Sequence, residues 1–542
     1  MKNGRRQFLK NILSSSAGLL SANNLSFAHL SEQESTSNSE TADCIVIGAG
    51  MAGLIAARDL SFPKDGFLGY KTIVLEASHR IGGRILTLED SRFGGPIELG
   101  ADYIHRARDS RVSIWNDVDT YNPEIIQFPR MLHGLMYYEG WEDNLPSHLT
   151  MVKNWNALDA ATFTKKIDSY TQGPNISAKE WLDQQNYSNF GQNLVNFYFT
   201  GHMPGHLDKL SVKGFASDHI SEQLLEWNEY GFANGYGSFL NQIKKGIDHH
   251  QGKELDIRYN SPVSLVKYNK NGVEVTTKDG KIYRAKTAVI TVSIGILKSG
   301  NIEFQPPLPD IKQQALSWIE AGDRAKVVLK FKKRFWPADA VFLNRIDNGR
   351  EMARTYFLPF SNDLEKNNVL SVLFAGEEAD KIYNMDDVDV IKALARDFDK
   401  MYPKVAKEQR GGTILNMIEG IESGHPTYLR WQWSNDPFTK GSVSYLKAGS
   451  EENKIPVTEA RKTLADPSST PGLFWAGEAT ATGSGTLHSS TNPLVRFIEQ
   501  VITDGKSTQP SCTHGAHFTG KRAAMEVSYF LENPGKYFKF NI

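Results

Sequence analysis

The chain has 542 residues, of which 40% are hydrophobic and 23% charged, and its formal net charge is -1. This length exceeds the size at which one hydrophobic core stops growing, which favours two domains over one. A net charge so close to zero gives no general attraction to polyanions, so nucleic acid is not an expected partner. The two cysteines, Cys44 and Cys512, lack metal-ligand spacing, so we expect no metal site and no disulfide framework.

Residues 1–28 have the layout of an export signal. Arg5 and Arg6 are followed by Phe8 and Leu9, and then by a Ser-rich, acid-free stretch of moderate hydrophobicity. This order resembles a twin-arginine signal, the route for proteins that are exported folded and often with a cofactor bound. A disordered basic tail is the alternative. The small residues around Ala28 suit a signal peptidase, and whether the signal is removed stays open.

The sequence therefore predicts passage through the twin-arginine export machinery to a bacterial periplasm or to the outside. Residues 29–42, rich in Ser, Glu and Thr, are interpreted as a linker. No other segment approaches the roughly 18 apolar residues that span a bilayer, so we expect no stable membrane insertion after signal removal. An uncleaved signal would still act as an anchor.

The folded part begins with a short apolar run and a glycine-rich turn. Residues 44–47 are continuous and mostly β-branched, as expected of a parallel strand covered on both faces. In the GxGxxG spacing, Gly48 permits a tight turn, Gly50 lets the backbone approach a pyrophosphate, and Gly53 lets the helix pack on the strand. A second apolar run ends at Glu76, close to the roughly 20-residue offset at which an acid meets ribose hydroxyls. Together these features indicate a dinucleotide site, whereas the glycines alone also fit a packing turn.

A second glycine turn follows the acidic residue. Arg80, Gly82, Gly83 and Arg84 place two guanidinium groups around a flexible turn. Guanidinium groups suit phosphate, so this turn is a candidate clamp for a second phosphate. A surface loop with two solvated arginines is the alternative.

The rest of the chain alternates helical and strand-rich stretches. Residues 110–227 have helix-like stretches without glycine-bounded strands, which indicates a mostly helical lobe. Residues 256–292 alternate with period two and carry the turns Asn271-Gly272 and Asp279-Gly280, which predicts a meander. The remaining predicted elements are strands at 327–331, 353–359, 369–374 and 472–477 and an amphipathic helix at 389–401.

A wider resemblance is carried by GAGMAGLIAARDL, VLEASHRIGGRI, IELGADYIH, ITVSIGILK, IEFQPPLPDIKQQAL, AKVVLKFKKRFW, WSNDPFTKGSVSY, FWAGEAT and HGAHFTGKRAA. In this order the stretches resemble the flavin-containing amine oxidase family, which includes monoamine oxidases, polyamine oxidases and histone demethylases. The resemblance covers nearly the whole chain after Ala42. The expected fold class is α/β (α+β), with a discontinuous Rossmann-like FAD-binding domain and an inserted substrate domain of helices plus a mixed sheet. The predicted boundaries are 43–109, 235–312 and 465–532 for the FAD-binding domain, 110–234 and 313–464 for the substrate-binding domain, and 533–542 for a tail.

The resemblance implies that FAD is the cofactor. In such relatives the glycine turn faces the pyrophosphate, Glu76 the adenosine ribose, and Val263 the adenine through its backbone. Lys326 matches a family lysine that holds a water at flavin N5, and an ordinary surface lysine is the alternative. The residues implied to contact FAD are Gly48, Ala49, Gly50, Met51, Ala52, Gly53, Glu76, Ala77, Arg84, Leu99, Gly100, Ala101, Val263, Trp433, Gly477, Glu478, Thr513 and His514.

The implied chemistry is oxidation of an amine at the carbon next to nitrogen, by hydride transfer to flavin N5. A free amine has a pKa of about 10, so the enzyme must bind or generate the neutral form. The imine then hydrolyses to an aldehyde. If the protein follows the oxidases of the family, O2 takes the electrons and gives H2O2; a dedicated dehydrogenase partner is the alternative.

The chain departs from this family near the substrate. Val443 stands where relatives carry a cage tyrosine, and Ser442 where monoamine oxidases tether the flavin, so FAD is expected to be noncovalent. Two segments, at His488 and at His514, match the turn aimed at the flavin pyrimidine. The second is favoured because it runs into FTGKRAA, and Cys512 then falls where relatives have a second cage residue or a threonine.

Polyamine oxidation is the first expectation, because the FLPF and FAGEEA segments resemble that branch. Aromatic monoamines and L-amino acids remain open, as does an FAD-bearing binding or scaffold protein without turnover. Each candidate contact to the small-molecule amine is also compatible with packing or surface exposure. These candidates are His105, Trp433, Val443, Tyr445, Cys512 and His517.

Overall fold

The structure is a computed structural model that describes residues 40–62, 69–105, 113–127, 135–138, 166–167, 169–187, 189–219, 229–246, 254–337, 342–346, 354–357, 368–450, 454–481 and 512–537. The predicted export signal, most of the linker and the His488 segment lie outside these residues. The strands are β1 (Glu40–Ile47), β2 (Thr72–Leu75), β3 (Thr87–Asp90), β4 (Gly95–Glu98), β5 (Ile104–His105), β6 (Ile125–Gln127), β7 (Leu135–Tyr138), β8 (Glu229–Phe232), β9 (Asp256–Arg258), β10 (Val263–Asn269), β11 (Gly272–Thr277), β12 (Ile282–Ile290), β13 (Glu303–Gln305), β14 (Ile319–Ala321), β15 (Arg324–Lys330), β16 (Phe342–Ile346), β17 (Arg354–Phe357), β18 (Val369–Ala375), β19 (Tyr428–Gln432), β20 (Ser444–Leu446) and β21 (Leu473–Trp475).

The α-helices are α1 (Met51–Ser61), α2 (Ser113–Tyr121), α3 (Ala178–Asp183), α4 (Asn189–His202), α5 (Val212–His219), α6 (Tyr236–Lys245), α7 (Ile294–Lys298), α8 (Asp310–Trp318), α9 (Glu377–Tyr383), α10 (Asp387–Met401), α11 (Pro403–Glu408), α12 (Ala460–Ala465) and α13 (Thr513–Glu532). None of these described helices combines the length and the apolar composition that crossing a membrane requires. Short 3-10 turns lie at Arg410–Gly412, Ile414–Met417, Ile421–Ser423, Trp433–Asn435, Val457–Glu459, Pro467–Ser469 and Glu478–Thr480.

The largest sheet is organised around β1. Its order is β13-β10-β11-β12-β1-β2-β9, and β21 pairs with β12. β1 is parallel to both β12 and β2, and its last four residues are buried because the run is apolar on both faces. The strands come from the start, the middle and the end of the described chain. This arrangement confirms the expected α/β class, while the domain boundaries stay predictions.

The two glycine turns of the predicted meander connect antiparallel strands. β10 pairs with β11 and β11 with β12, so the chain reverses at each turn. Gly272 and Gly280 have φ angles of +144° and +83°, in the region that favours glycine. The meander predicted from Asn271-Gly272 and Asp279-Gly280 is therefore confirmed.

Two helices cover one face of this sheet. α1 packs on α13 so closely that a Cβ on Gly520 would lie 2.4 Å from the carbonyl oxygen of Ala52. The shared core holds Leu54, Ile55 and Val527, all fully buried. The C-terminal helix α13 is therefore packed against α1, the helix that follows the glycine turn.

A second, mixed sheet has the order β19-β15-β18-β17-β16-β7. The strands and the helix predicted for this region are confirmed, with α10 at Asp387–Met401. α10 packs its apolar face, including Leu394 and Phe398, on this sheet. The described helices between β5 and β8 are α2 to α5, and Trp181, Phe199 and Phe215 form part of an aromatic core there, as expected for a helical lobe.

Candidate active site

The glycine turn joins β1 to α1 and brings the backbone of the helix close to the backbone at the end of the strand. Gly48 has a φ angle of +105°, and Gly50 is the N-cap of α1. A Cβ on Gly53 would lie 1.9 Å from the carbonyl oxygen of Gly48, so only glycine lets the helix approach the strand. α1 has no side-chain cap and no acidic residue in its first turn. The first N–H groups of the helix, among them those of Met51 and Ala52, suit a pyrophosphate.

Glu76 ties this turn to the end of β2. Its Oε2 accepts a hydrogen bond from the Ala49 N–H at 2.7 Å, and its Oε1 accepts one from the Ser78 N–H at 2.8 Å. The side chain is buried, and Ala77 follows directly. Each carboxylate oxygen has a further lone pair, so Glu76 can also accept a ribose hydroxyl.

The second glycine turn uses its two arginines differently. Arg80 donates to the carbonyls of Ile81, Gly83 and Ile85, at 3.2, 2.8 and 3.1 Å. One guanidinium therefore stiffens the turn instead of forming the second half of a phosphate clamp. Arg84 leaves the turn and donates to Glu478 Oε1 at 2.7 Å.

Glu478 lies at the centre of a buried network. Its Oε2 accepts from the Ser444 hydroxyl at 2.7 Å, which in turn accepts from Arg461 Nη1 at 2.7 Å. Arg461 Nε donates to both carboxylate oxygens of Asp218 at 3.0 Å. Burial raises the pKa of Glu478, but the guanidinium groups of Arg84 and Arg461 outweigh that effect and hold the pKa below its usual value. Gly477 precedes this residue, so FWAGEAT enters the site directly after β21.

Lys326 is buried on β15 beside the segment that follows β4. Its Nζ donates to the carbonyl of Glu98 at 2.9 Å and to the carbonyl of Gly100 at 3.1 Å. Trp433 Nε1 donates to the Leu99 carbonyl at 3.2 Å. At 3% exposure Lys326 is not the surface lysine that the sequence left as an alternative. Lys326, Trp433 and the segment Leu99–Ala101 thus lie together, and their roles at a flavin stay predictions.

Two acids of this region were missed by sequence reasoning. The Asp102 carboxylate lies 2.7 Å from Lys326 Nζ. The Glu98 Oε1 accepts from the Tyr236 N–H at 2.6 Å, where α6 begins, and burial raises the pKa of Glu98 to about 7. Asp102 and Glu98 are both visible in the sequence as acids within the short IELGADYIH stretch. The sequence does not reveal the partner of either acid, because Lys326 lies 224 residues from Asp102 and Tyr236 lies 138 residues from Glu98.

The last helix begins at the favoured histidine segment. Cys512 is the N-cap of α13, and the Thr513 hydroxyl accepts from the Tyr236 hydroxyl at 2.9 Å. His514 is buried in the first turn of the helix. A helix N-terminus at this position matches the dipole contact implied by the resemblance. The choice over His488 stays a prediction, since that segment lies outside the described residues.

The candidate substrate residues lie in different surroundings. Tyr445 is packed in the core of the helical lobe, against Gly205. His517 is fully buried, and its Nε2 lies 2.5 Å from Asp117 Oδ2 between α13 and α2. Val443 is half-buried, with its carbonyl accepting from the Gly322 N–H. The side chain of His105, in β5, is outside the described part, and the substrate roles of all four stay predictions.

Arg324 adds a charge that the sequence reasoning did not single out. It precedes Lys326 by two residues on β15, so both side chains leave the same face of the strand. Its Nη2 donates to the carbonyls of Gly201 and His202 at the end of α4, at 2.7 and 3.2 Å. Its Nε is buried without a hydrogen-bond partner among the described residues. Burial lowers the pKa of Arg324, while the nearby Cys512 and Asp102 oppose this shift.

One cluster away from this site has the geometry of a metal site. His206, Asp208 and Glu377 each bring a possible ligand atom within 4.8 Å of the others. Both acids are exposed, and His206 Nε2 already lies 2.8 Å from Asp380. Exposed acids gather without an ion often enough that the cluster alone does not indicate a metal, and the expectation of no metal site stays a prediction.

Comparison with known families identifies the chain. Residues 51–492 match the model of the flavin containing amine oxidoreductases. The chain belongs to this family. The flavin amine oxidoreductase described here is therefore an enzyme with a flavin cofactor that acts on amines.

Its curated relatives include enzymes of two kinds. The chain is 27% identical to polyamine oxidase 2 of Arabidopsis thaliana over 516 residues, covering 89% of this chain and 86% of the relative. It is 25% identical to human lysine-specific histone demethylase 2, covering 90% of this chain and 53% of that protein. The chain thus spans about half the length of that demethylase.

Solved structures show the same fold. Cyclohexylamine oxidase from Brevibacterium oxydans IH-35A superposes with a TM-score of 0.64 at 18% identity, covering 91% of this chain and 100% of that chain. A putrescine oxidase bound to putrescine gives a TM-score of 0.62 at 15% identity, covering 90% and 99%. The fold of this amine oxidoreductase is that of known amine oxidases.

The predicted cofactor residues form a continuous line that fits a dinucleotide flavin. The glycine turn contacts the second turn through a bridge between Gly50 and Gly82. The Arg84 carbonyl lies so close to Gly100 that a Cβ there would be 1.9 Å away. Gly100 in turn accepts from Lys326. The line runs from the helix N-terminus to the buried lysine. A Cβ on Gly50 would meet only the Gly82 carbonyl oxygen at 3.8 Å, so there is space beside the helix N-terminus.

Proposed function

We propose that this enzyme oxidises an amine with noncovalently bound FAD and passes the electrons to O2, giving H2O2. FAD, when bound, would take two electrons and a proton, together one hydride equivalent, from the carbon next to the amine nitrogen. The observation that carries the proposal is the burial of Lys326 against Leu99–Ala101 and beside Trp433, at the far end of the line that starts at the glycine turn.

Different residues along this line would bind different parts of FAD. The N–H groups at the start of α1 bind the pyrophosphate, and Glu76 accepts from the ribose. Glu478 is held by Arg84 and Ser444 and is the residue that the resemblance implies would meet the ribityl-pyrophosphate region of FAD. Ser442 stands where monoamine oxidases carry their flavin-linking cysteine, which supports noncovalent binding.

A polyamine is the first candidate substrate. It is supported by the similarity to polyamine oxidase 2 of Arabidopsis thaliana and by the shared fold with a putrescine oxidase. The FLPF and FAGEEA segments resemble the same branch. The half-buried Val443, in place of a cage tyrosine, leaves more room beside the site for a flexible chain.

An L-amino acid is the second candidate, and Arg324 favours it. This guanidinium lies on the same strand face as Lys326 and has a buried Nε without a partner among the described residues. A guanidinium is well suited to a carboxylate, and its positive charge disfavours a cationic chain. Its bonds to the end of α4 are compatible with either substrate.

A matched panel of substrates tests the proposal and separates the two candidates. Purified protein is assayed for H2O2 with putrescine against L-ornithine, and with cadaverine against L-lysine, alongside spermidine. Each pair differs by one carboxylate. Faster oxidation of putrescine, cadaverine or spermidine supports polyamine oxidation. Faster oxidation of L-ornithine or L-lysine supports the second candidate. Absence of flavin from the purified protein, or bound flavin that no amine reduces, would contradict the enzyme as proposed.

Export by the twin-arginine machinery is also proposed, on the paired arginines of residues 1–28. The test is fractionation of a bacterial host that makes the full chain. Activity is expected outside the cytoplasm, and replacement of Arg5 and Arg6 by lysine is expected to keep the enzyme inside. Equal distribution of both forms would contradict export by this route.

A further inference from the structure

The ammonium group of Lys326 is fully engaged by protein oxygens. Its Nζ lies 2.9 Å from the Glu98 carbonyl oxygen, 3.1 Å from the Gly100 carbonyl oxygen, and 2.9 and 2.7 Å from the two carboxylate oxygens of Asp102. A lysine ammonium has three N–H donors. Two carbonyls and one carboxylate account for all of them, so in this arrangement no N–H remains for a water.

Asp102 differs from the backbone acceptors because it carries charge. Its side chain is 22% exposed, whereas Lys326 is 3% exposed, so the carboxylate is the more solvent-accessible partner of the pair. Replacing a buried ion pair by apolar residues is often neutral or stabilising, so such a pair is weak evidence for a purely structural role. The pair lies against Leu99–Ala101, the segment that the family resemblance places along the flavin ring, and this position indicates a role there.

The neighbouring charged residues, Arg324 and Glu98, make the negative charge of Asp102 more important. Arg324 leaves β15 on the same face as Lys326, and the Glu98 carboxylate is turned toward Tyr236 and Thr87. Without Asp102, the cationic side chains of Lys326 and Arg324 would lose a carboxylate that interacts with both. Asp102 therefore supplies the carboxylate that offsets this positive charge at close range.

We propose that Asp102 is a positioning residue of the redox centre, which fixes Lys326 on the flavin-lining segment and neutralises its charge beside the flavin. This inference rests on the proposed function, because that function places the flavin next to Lys326. Asp102 acts through Lys326 and is not assigned a contact with the substrate. It belongs to the IELGADYIH stretch but was not among the residues that the family resemblance assigned to FAD.

The midpoint potential of the bound flavin tests the proposal without any amine. Reduction adds negative charge to the flavin, so a nearby positive charge raises the potential and a negative charge lowers it. We expect Asp102→Asn to raise the potential, because the lysine loses its counter-charge. Lys326→Met is expected to lower it, because the negative charge of Asp102 is no longer offset by the lysine ammonium. The double variant should lie close to the unmodified enzyme, since both charges are gone.

Asp183→Asn is the matched control. Asp183 forms a lysine pair with Lys179 at 2.9 Å, but both side chains are more than 60% exposed and lie on α3. This control removes the same charge from a solvated pair, so no shift is expected. If Asp102→Asn does not retain flavin, Asp102→Ser repeats the charge removal with a smaller side chain.

Thermal unfolding gives a second measurement. Lys326→Met leaves the Asp102 carboxylate without its ammonium, so the double variant is expected to unfold at a higher temperature than Lys326→Met alone. Shifts of the same sign for the two single variants, or no shift for Asp102→Asn, would overturn the inference. Absence of flavin from the unmodified protein would instead contradict the proposed function.

Discussion

The role of Lys326 can be tested kinetically. Lys326→Met keeps the length of the side chain but removes its donors to Gly100 and Asp102. We expect flavin reduction or reoxidation to slow by at least about tenfold, since losing one positioned polar group at a reaction centre costs more than about 1.4 kcal/mol. FAD should remain bound, because its phosphates are held elsewhere. Stopped-flow measurement of both half-reactions checks this.

Lys330→Met provides the control for that experiment. Lys330 ends the same strand, but its Nζ donates to the Arg92 carbonyl and it is more exposed. Its replacement should leave both half-reactions unchanged. Unchanged rates in Lys326→Met as well would remove the assignment of Lys326 to the reaction.

Glu98 makes the stability of the protein depend on pH. Burial, reinforced by the charge of Asp102, raises the pKa of Glu98 from 4.5 to about 7. The folded state then holds a proton that the unfolded state loses, so this contribution to stability is complete below pH 4.5 and is lost as the pH rises to about 7. The full effect is on the order of 3 kcal/mol.

Glu98→Gln is the variant that isolates this titration. An amide oxygen still accepts from the Tyr236 N–H and the Thr87 hydroxyl, but the group no longer titrates. Denaturant unfolding at pH 5 and at pH 7.5 should show the variant gaining stability relative to the unmodified protein at the higher pH. An equal difference at both pH values would exclude Glu98 as the cause.

Among the elements, the strand, glycine turn and helix of residues 40–61 contain two glycines with different expected roles. One is needed for folding and the other for binding FAD. A Cβ on Gly53 would meet the Gly48 carbonyl oxygen at 1.9 Å, whereas a Cβ on Gly50 would meet only the Gly82 oxygen at 3.8 Å. Gly53→Ala is therefore expected to displace α1 from β1 and lower the unfolding temperature. Gly50→Ala is expected to fold normally and to bind FAD at least about tenfold more weakly, because the methyl group takes the space of the pyrophosphate.

Circular dichroism melting and fluorescence titration with FAD measure these two effects, and each variant serves as the control for the other. If Gly50→Ala binds FAD like the unmodified protein, the pyrophosphate does not lie at this turn. If Gly53→Ala melts normally, the close approach of α1 to β1 is wrong.

At the scale of the whole molecule, Arg461 connects the helical lobe to the nucleotide side. Its guanidinium contacts Asp218 on α5 and Ser444 on β20, and Ser444 contacts Glu478. Arg461 and Asp218 are 1% and 4% exposed. Arg461→Leu should lower stability by about 3–5 kcal/mol, because a buried carboxylate loses its cation.

Denaturant unfolding of Arg461→Leu and of Asp218→Asn, alone and together, measures this coupling. The double variant should lose less stability than the sum of the two single variants, because it no longer buries one charge of the pair. Additive losses would show that the two side chains do not stabilise each other. Weaker FAD binding in Arg461→Leu is also expected, since Glu478 loses a neighbouring cation.

The sequence predicted the elements whose signals are local. The apolar run of β1, the glycine spacing before α1 and the Asn271-Gly272 turn all act through neighbours in the chain. The same holds for α10, whose apolar residues recur at helical spacing. Arg80 shows the limit of such reasoning, because its sequence neighbours could not reveal that it donates to its own turn.

The sequence alone predicted the glycine turn, the meander of residues 256–292 and the family to which the chain belongs. The tertiary structure decided which charges meet. The Asp102 carboxylate reaches Lys326 across 224 residues, and Arg461 reaches Asp218 across 243. Ion pairs between distant segments have no period and no local spacing, since they depend on how strands and helices are packed. For this enzyme that packing surrounds the predicted lysine with acids that the sequence alone did not connect to it.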